Sequence, residues 1–301
     1  MGVYQLFSEG KTRNPRSLRL QENSGVEQIA GKVGNDESVF LTFVLGDEIF
    51  SIYYSSCRCK CLYLQSWQSD INIADDLIMH TILTYLRQLE ANNNKPWFDA
   101  HKDEYLEARA HFNAIVEQLI QGIMEFDPSV RGVGIRESTY RINKDMRFSR
   151  DGLPYKTHFG AFVCRGGKKS GYSGYYFHIG TGSGDDYPCR SFLAVGNYFT
   201  EPKVLKILRE DIELGGGDFD RIIKALHPSL SLDQDQKLKR APLGFNAEGP
   251  YIEYVKLKNF CLSGTYDDAN LDIKEVLKVF KSAKPFIDYI NRAIEYSREE
   301  E

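Results

Sequence analysis

Basic side chains alternate with an acidic one in residues 141–169, and this spacing is the clearest sign of chemistry in the chain. Side chains two residues apart share one face of a strand, which puts Arg141, Asp145 and Arg147 together. Charges within a half-buried strand are costly unless they pair or meet a ligand. Two arginines beside one aspartate leave one positive charge unpaired. Guanidinium groups bind carboxylate or phosphate through two parallel hydrogen bonds. The spacing therefore predicts a site for an anion.

The predicted site residues fall into two groups. The residues expected to hold the anion are Arg141, Arg147, Lys156, Lys168, Lys169, Lys239 and Arg240. The candidates for a general acid or base are Asp145, His158 and His178. The sequence names no reaction, so it leaves open whether the protein is an enzyme. The glycine-lysine loop at 165–171 lacks the Walker pattern, which favours a flexible hairpin loop. Closure of that loop over an anion on the sheet stays open.

Strands are the elements that must position these residues. The strand candidates are residues 139–148, 155–164, 175–180, 191–197 and 251–262. In the first of them, the side chains expected to face a core are Tyr140, Ile142, Met146 and Phe148. Short connections between consecutive strands favour an antiparallel sheet.

Helical patterns lie on both sides of these strands. They cover residues 79–91, 96–123, 202–214, 218–226 and 273–298. An Asn-rich turn at 92–94 joins the first two into a helical hairpin. Pro285 must kink the last helix or start a second one. The predicted fold class is α+β, with a helical hairpin, a central antiparallel sheet and C-terminal helices.

Several ordered blocks of sequence carry a family resemblance. They are NNNKPWFDAHK at 92–102, YRINKDMRFS at 140–149, PYKTHFG at 154–160, GYYFH at 174–178 and KLKRAPLGF at 237–245. Over roughly residues 79–298 the chain resembles the bacterial and fungal family called domain of unknown function 2461. It departs from that family at Ala241, where a second proline is commoner, and in residues 1–78, which the family lacks. The resemblance implies no activity.

Residues 1–78 differ in pattern from the rest of the chain. They are polar and aperiodic from Gly10 to Gly34, and clumps of Phe, Tyr, Cys and Ser follow at 39–64. We expect 79–301 to be a single α+β domain. Residues 1–78 are then an atypical extension, either disordered or the product of a mis-assigned start. The alternative is a genuine strand pair between Val39 and Tyr54, docked on the sheet edge.

Composition narrows the classes of partner. A net charge of −4 over 301 residues argues against a generally basic nucleic-acid coat. Residues 141–169 nevertheless hold eight cations and two anions, a local excess of six. No metal or cofactor is expected, because Asp145 is the one obvious carboxylate beside the two histidines. The six cysteines predict free thiols rather than disulfides. No apolar run reaches transmembrane length, so we expect a cytoplasmic protein without a membrane partner.

The leading hypothesis is therefore a cytoplasmic domain that binds an anionic, phosphate-bearing small molecule on the polar face of its sheet. One alternative is a non-catalytic interaction module in which an Arg-Asp-Arg network is structural. The other is nucleic-acid binding through the basic 141–169 stretch, which requires a continuous and exposed basic stripe. The sequence leaves the oligomeric state open.

Overall fold

A computed structural model gives the architecture, and it divides the chain into two compact units, Met1–Ile73 and Ala74–Glu301. The residues that it describes are 26–32, 39–45, 48–54, 67–147, 151–182, 190–234, 237–266 and 271–299, with side chains from Ile78 onwards. The predictions for Cys57, Cys59, Cys61, Phe148 and Cys189 lie outside them.

The first unit contains a three-stranded antiparallel sheet in the order β1-β2-β3. Its strands are β1 Val26–Lys32, β2 Val39–Leu45 and β3 Glu48–Tyr54. The strands considered at 39–45 and 49–54 are thus present, whereas β1 lies in a stretch that we expected to be largely aperiodic. That residues 1–78 stand outside the functional domain stays a prediction.

The helical hairpin consists of α1 Trp67–Ala91, α2 Lys95–Ala100 and α3 Lys102–Phe126. Asn94 caps α2, because its side chain accepts a hydrogen bond from the backbone N–H of Trp97 at 3.0 Å. The single helix predicted over 96–123 is interrupted at His101, whose backbone is not helical (φ −113°, ψ 29°). There the His101 ring stacks on Trp97 at 4.1 Å, and its Nδ1 lies 2.8 Å from the Trp97 carbonyl oxygen.

The strand predicted at 139–148 does not form as a strand. After a 3-10 turn at Pro128–Val130 and the short helix α4 Ile135–Ser138, this segment makes only isolated bridges, Thr139 to Ala161 and Asn143 to Tyr155, among the described residues. Ile142 is buried as expected, but Met146 is 48% exposed. Asp145 accepts a hydrogen bond from the backbone N–H of Arg147, and such a local turn competes with strand pairing.

Five strands of the second unit form an antiparallel sheet in the order β4-β5-β6-β8-β7. They are β4 His158–Cys164, β5 Gly174–Gly180, β6 Phe192–Asn197, β7 Ser231–Leu232 and β8 Phe260–Thr265. The predicted central antiparallel sheet is confirmed. The strand predicted at 251–262 is wrong in its first half, where the helix α6 Ile252–Val255 lies. Tyr254 of α6 donates a hydrogen bond to Asp220 and its ring packs on Phe219, which favours a helical turn there.

The remaining helices are α5 Pro202–Lys224, α7 Ile273–Ser282 and α8 Lys284–Glu299. Non-helical backbone at Gly215 (φ −140°, ψ 28°) divides α5 into two helical segments across a kink, which agrees with the break predicted between 214 and 218. Pro285 lies in the first turn of α8, so it starts a second helix rather than kinking a single one. The α+β fold class is confirmed, with the helical hairpin before the sheet and helices at the C-terminus.

Aromatic packing places the core between one face of the sheet and the helices. Phe159 of β4 and Phe177 of β5 contact Phe112 of α3, with ring centroids 5.2 and 6.3 Å apart. Tyr175 contacts Phe280 of α7 at 5.3 Å. All five side chains are at most 2% exposed.

Candidate functional site

A cavity of about 550 Å³ lies over the other face of the sheet. Its floor is formed by Gly160, Phe162, Tyr176, Phe192, Ala194 and Ser263. The strand register puts Tyr176 opposite Ala194, and Ala194 opposite Ser263. Side chains opposite each other share a face, so Tyr176, Ala194 and Ser263 form one row across β5, β6 and β8 with a large side chain at its β5 end and small ones on β6 and β8.

Three predicted cations gather at the β4 end of this cavity: Arg141, Lys156 and Lys168 all line it. The ring of Tyr140 contacts the ammonium groups of both Lys156 and Lys168. Its centroid is 5.5 Å from Nζ of Lys156 and 5.9 Å from Nζ of Lys168. Tyr140 is itself held by Arg109, which donates a hydrogen bond to the Tyr140 carbonyl at 2.9 Å. The segments before and after β4 therefore place their lysines around one aromatic ring.

The positive charges at this end of the cavity lie close enough to repel one another. In the described part of the chain, neither Arg141 nor Lys156 has an acidic side chain within ion-pair distance. Burial lowers the pKa of Lys156, and the charges of Arg141 and Lys144 lower it further. Burial also lowers the pKa of Lys168, assisted by the neighbouring Lys169. An anion entering the cavity would relieve this repulsion and favour the charged form of both lysines.

Two predicted histidines lie side by side at the same end. His158 lines the cavity, and its ring centroid is 4.4 Å from that of the buried His178. Burial, followed by the charges of Lys156 and Lys144, lowers the pKa of His158 to about 4. The imidazole is therefore neutral at pH 7, and it can accept a proton or donate one hydrogen bond. Nδ1 of His178 is hydrogen-bonded to the Tyr176 hydroxyl at 2.9 Å.

Gly160 makes room for that hydrogen bond. A Cβ atom at this position would lie 2.5 Å from the Tyr176 hydroxyl, which is well inside van der Waals contact. The absence of a side chain on β4 therefore lets the Tyr176 ring lie across the strand, next to His178.

The other predicted residues do not line the cavity. Arg147 forms a two-point ion pair with Asp145, with hydrogen bonds of 3.0 and 2.7 Å, and its side chain is 81% exposed. Arg141 is not within ion-pair distance of Asp145, so an Arg-Asp-Arg network that clamps sheet to helix is not seen. The remaining predicted cations are exposed: Lys169, Lys239 and Arg240.

Sequence reasoning missed further polar residues of the cavity, namely Glu201, Asp233 and Arg298. Arg298 lies in the last turn of α8, where it donates a hydrogen bond to the Ser170 carbonyl at 2.7 Å and stacks on Tyr172 at 4.4 Å. No motif surrounds any of these positions. These residues can be recognised only from the tertiary structure, in which the C-terminal helix α8 lies close to the sheet.

Two classes of site are absent from the described residues. They contain no group of three or more His, Cys, Asp and Glu side chains that could hold a metal ion. Within the same ranges, no helix has both the length and the hydropathy needed to cross a membrane. Cys164 and Cys261 are free and buried, as predicted for those two.

Comparison with known proteins gives one match. A family model described as "Conserved hypothetical protein (DUF2461)" matches residues 81–289. No curated protein and no solved structure matches the chain.

Proposed function

We propose that this chain, which belongs to the DUF2461 family, binds a phosphate-bearing small anion in the cavity over its sheet. The observation that carries the proposal is the pair Arg141 and Lys156, which line the cavity without an acidic partner among the described residues. Lys156 is partly buried, and a partly buried charge left unpaired lowers the stability of the fold unless a ligand compensates it. Arg141 is exposed and adds a second positive charge to the cavity lining.

Each cation suits a different part of the anion. The planar guanidinium of Arg141 can donate two parallel hydrogen bonds to one phosphate, whereas Lys156 and Lys168 act as point charges. The neutral imidazole of His158 adds a hydrogen bond, and it is the residue placed to exchange a proton if the bound ligand reacts. A small ligand fits better than nucleic acid, because Lys156 and His158 are partly buried in the cavity rather than part of an exposed stripe.

Calorimetric and thermal-shift titration with inorganic phosphate and pyrophosphate tests the proposal. A ligand that binds the native state stabilises it by about 2.7 kcal/mol at a hundred times its Kd. We expect a rise in Tm for the wild type and its loss in Lys156→Ala. Lys169→Ala is the matched control, because it removes a lysine that is exposed and does not line the cavity.

Two results would contradict the proposal. One is a wild type that responds to neither anion. The other is a Lys169→Ala variant that loses as much affinity as Lys156→Ala, since the response would then report general surface charge. Affinity should also fall as chloride is added, because partly exposed charges are screened over about 8–10 Å near physiological ionic strength.

A further inference from the structure

The cavity extends well beyond its cationic end. Arg141 and Lys156 precede β4 and Lys168 follows it, so all three lie at one edge of the sheet. The floor continues across β5 and β6 to β8, three strand spacings or about 14 Å away. A volume of about 550 Å³ falls in the range of cavities that hold whole small molecules. A phosphate group alone occupies only the β4 end.

The rest of the cavity is suited to a flat apolar group. Ala194 and Ser263 are small and adjacent across β6 and β8, which leaves open space above them. Aromatic rings border that space, and the Phe199 ring at the end of β6 is 84% exposed. Val204 of α5 and Ile294 of α8 add apolar wall. Planar ligand groups gain from stacking and edge contacts with such rings, and they cover the exposed Phe199.

Acidic groups lie at the far side of this apolar region. Asp233, next to β7, lines the cavity at the edge opposite the lysines, and Glu201 lines it at the start of α5. Carboxylates accept hydrogen bonds, so they suit N–H or O–H groups on the distant part of a ligand.

Resting on the proposed function, we infer that the ligand is a phosphate ester of a planar aromatic group. The phosphate binds at Arg141 and Lys156, and the ring lies over Ala194 and Ser263. Both a nucleoside monophosphate and a simple aryl phosphate have this chemistry. A ring with outward N–H groups, as in a nucleotide, additionally reaches Asp233.

Calorimetry on the full chain with four probes tests the inference: inorganic phosphate, methyl phosphate, phenyl phosphate and adenosine monophosphate. We expect phenyl phosphate to bind about tenfold more tightly than methyl phosphate, because the ring buries apolar surface. Further gain with adenosine monophosphate, lost in Asp233→Ala, identifies a nucleotide. Equal affinity of the two aromatic probes identifies an aryl ester.

A matched pair of variants on β8 locates the ring. Ser263→Leu fills the floor and should abolish the advantage of phenyl over methyl phosphate, while inorganic phosphate still binds. Thr265→Leu, on the same strand and face but outside the cavity lining, should keep that advantage. Ala194→Leu makes the same test from β6 if Ser263→Leu does not fold.

The outcomes separate this inference from the proposed function. If methyl and phenyl phosphate bind equally and Lys156→Ala abolishes both, the anion site stands and the aromatic inference is overturned. An advantage of phenyl phosphate that survives both leucine variants also overturns it, because the ring then lies elsewhere. If none of the four probes binds, both proposals are overturned.

Discussion

The two faces of the five-stranded sheet use the same strands for opposite purposes. On the helix-packed face, Phe159, Tyr175 and Phe177 are large and buried, and they contact rings of α3 and α7. On the cavity face, Ala194 of β6 and Ser263 of β8 are small, and a large side chain at either position would fill the space. The cavity therefore results from small residues on one face, while the other face supplies the stability.

The difference between the two faces predicts that substitutions on the helix-packed face affect stability and that substitutions on the cavity face affect binding. Close-packed side chains lose both transfer free energy and contacts when they are truncated. Residues that border an existing cavity lose less, because one side of them already lacks partner atoms. The following predictions test that division, beginning with the largest effect.

The largest difference in the free energy of unfolding should appear when a phenylalanine of β4 is truncated on one face or on the other. Phe159→Ala should lower the free energy of unfolding by roughly 3–5 kcal/mol, because it empties a site that is 1% exposed. Phe162→Ala, on the same strand but lining the cavity, should cost about 1 kcal/mol. Urea unfolding of both variants measures the difference. Equal losses would mean that the cavity face contributes as much to the core as its opposite.

Adding a methyl group to two glycines that line the cavity should give the next largest effect. Gly196 has φ +124°, and a Cβ there would lie 2.2 Å from the Phe260 carbonyl oxygen, so Gly196→Ala should cost roughly 2–4 kcal/mol. Gly160→Ala meets side-chain atoms of Tyr176 rather than backbone, so it should displace that ring from His178 and cost about 1 kcal/mol, the scale of one hydrogen bond. Thermal unfolding ranks the two, and the reverse order would contradict the assignment of Gly196 as a backbone constraint.

Acid should destabilise the protein through the cavity face. The folded-state pKa of His158 is lowered to about 4, against 6.5 for the exposed group. Between these values the unfolded state binds a proton that the folded state does not, so stability falls as pH drops from 6.5 towards 4. The expected loss is roughly 2 kcal/mol between pH 7 and 5. Urea unfolding at both pH values checks this, with His158→Asn as the variant that should lose less; equal slopes would rule out His158 as the cause.

The part of the fold that follows local patterns was open to prediction from sequence. Strand alternation alone puts the neighbours Phe159 and His158 on opposite faces of β4, and the structure has Phe159 in the core and His158 at the cavity. Asn94 and Pro285 marked helix starts, because capping and the fixed φ of proline depend only on nearby residues.

Two kinds of feature were not predicted: a local turn made by a side chain, and contacts between residues that are distant in sequence. The pattern around Asp145 resembled a strand, but its side chain bonds the Arg147 backbone and forms a turn instead. For the same reason Arg147 was expected in the site and lies outside the cavity lining. Arg298 was missed because it reaches the cavity only through the packing of α8, more than a hundred residues from the basic stretch at 141–169.

The smallest expected effect concerns the ring that brings two lysines together. Tyr140 lies within 6 Å of the ammonium groups of both Lys156 and Lys168. Cation–π contacts at such sites contribute about 0.5–1 kcal/mol each. Tyr140→Leu should therefore lower the free energy of unfolding by about 1 kcal/mol. Phosphate affinity should fall about threefold, because the two like charges separate and must be gathered again on binding.

Tyr140→Phe is the control for the ring itself, because it keeps the aromatic face and removes only the hydroxyl. It should bind phosphate as the wild type does, whereas Tyr140→Leu should not; calorimetry at low ionic strength resolves the difference. If both variants lose affinity equally, the hydroxyl is the group that matters.

Tyr175→Phe on the helix-packed face provides the opposite case, because it removes a hydrogen bond to the buried Asp127. That variant should lower stability and leave phosphate affinity unchanged, since Tyr175 does not line the cavity.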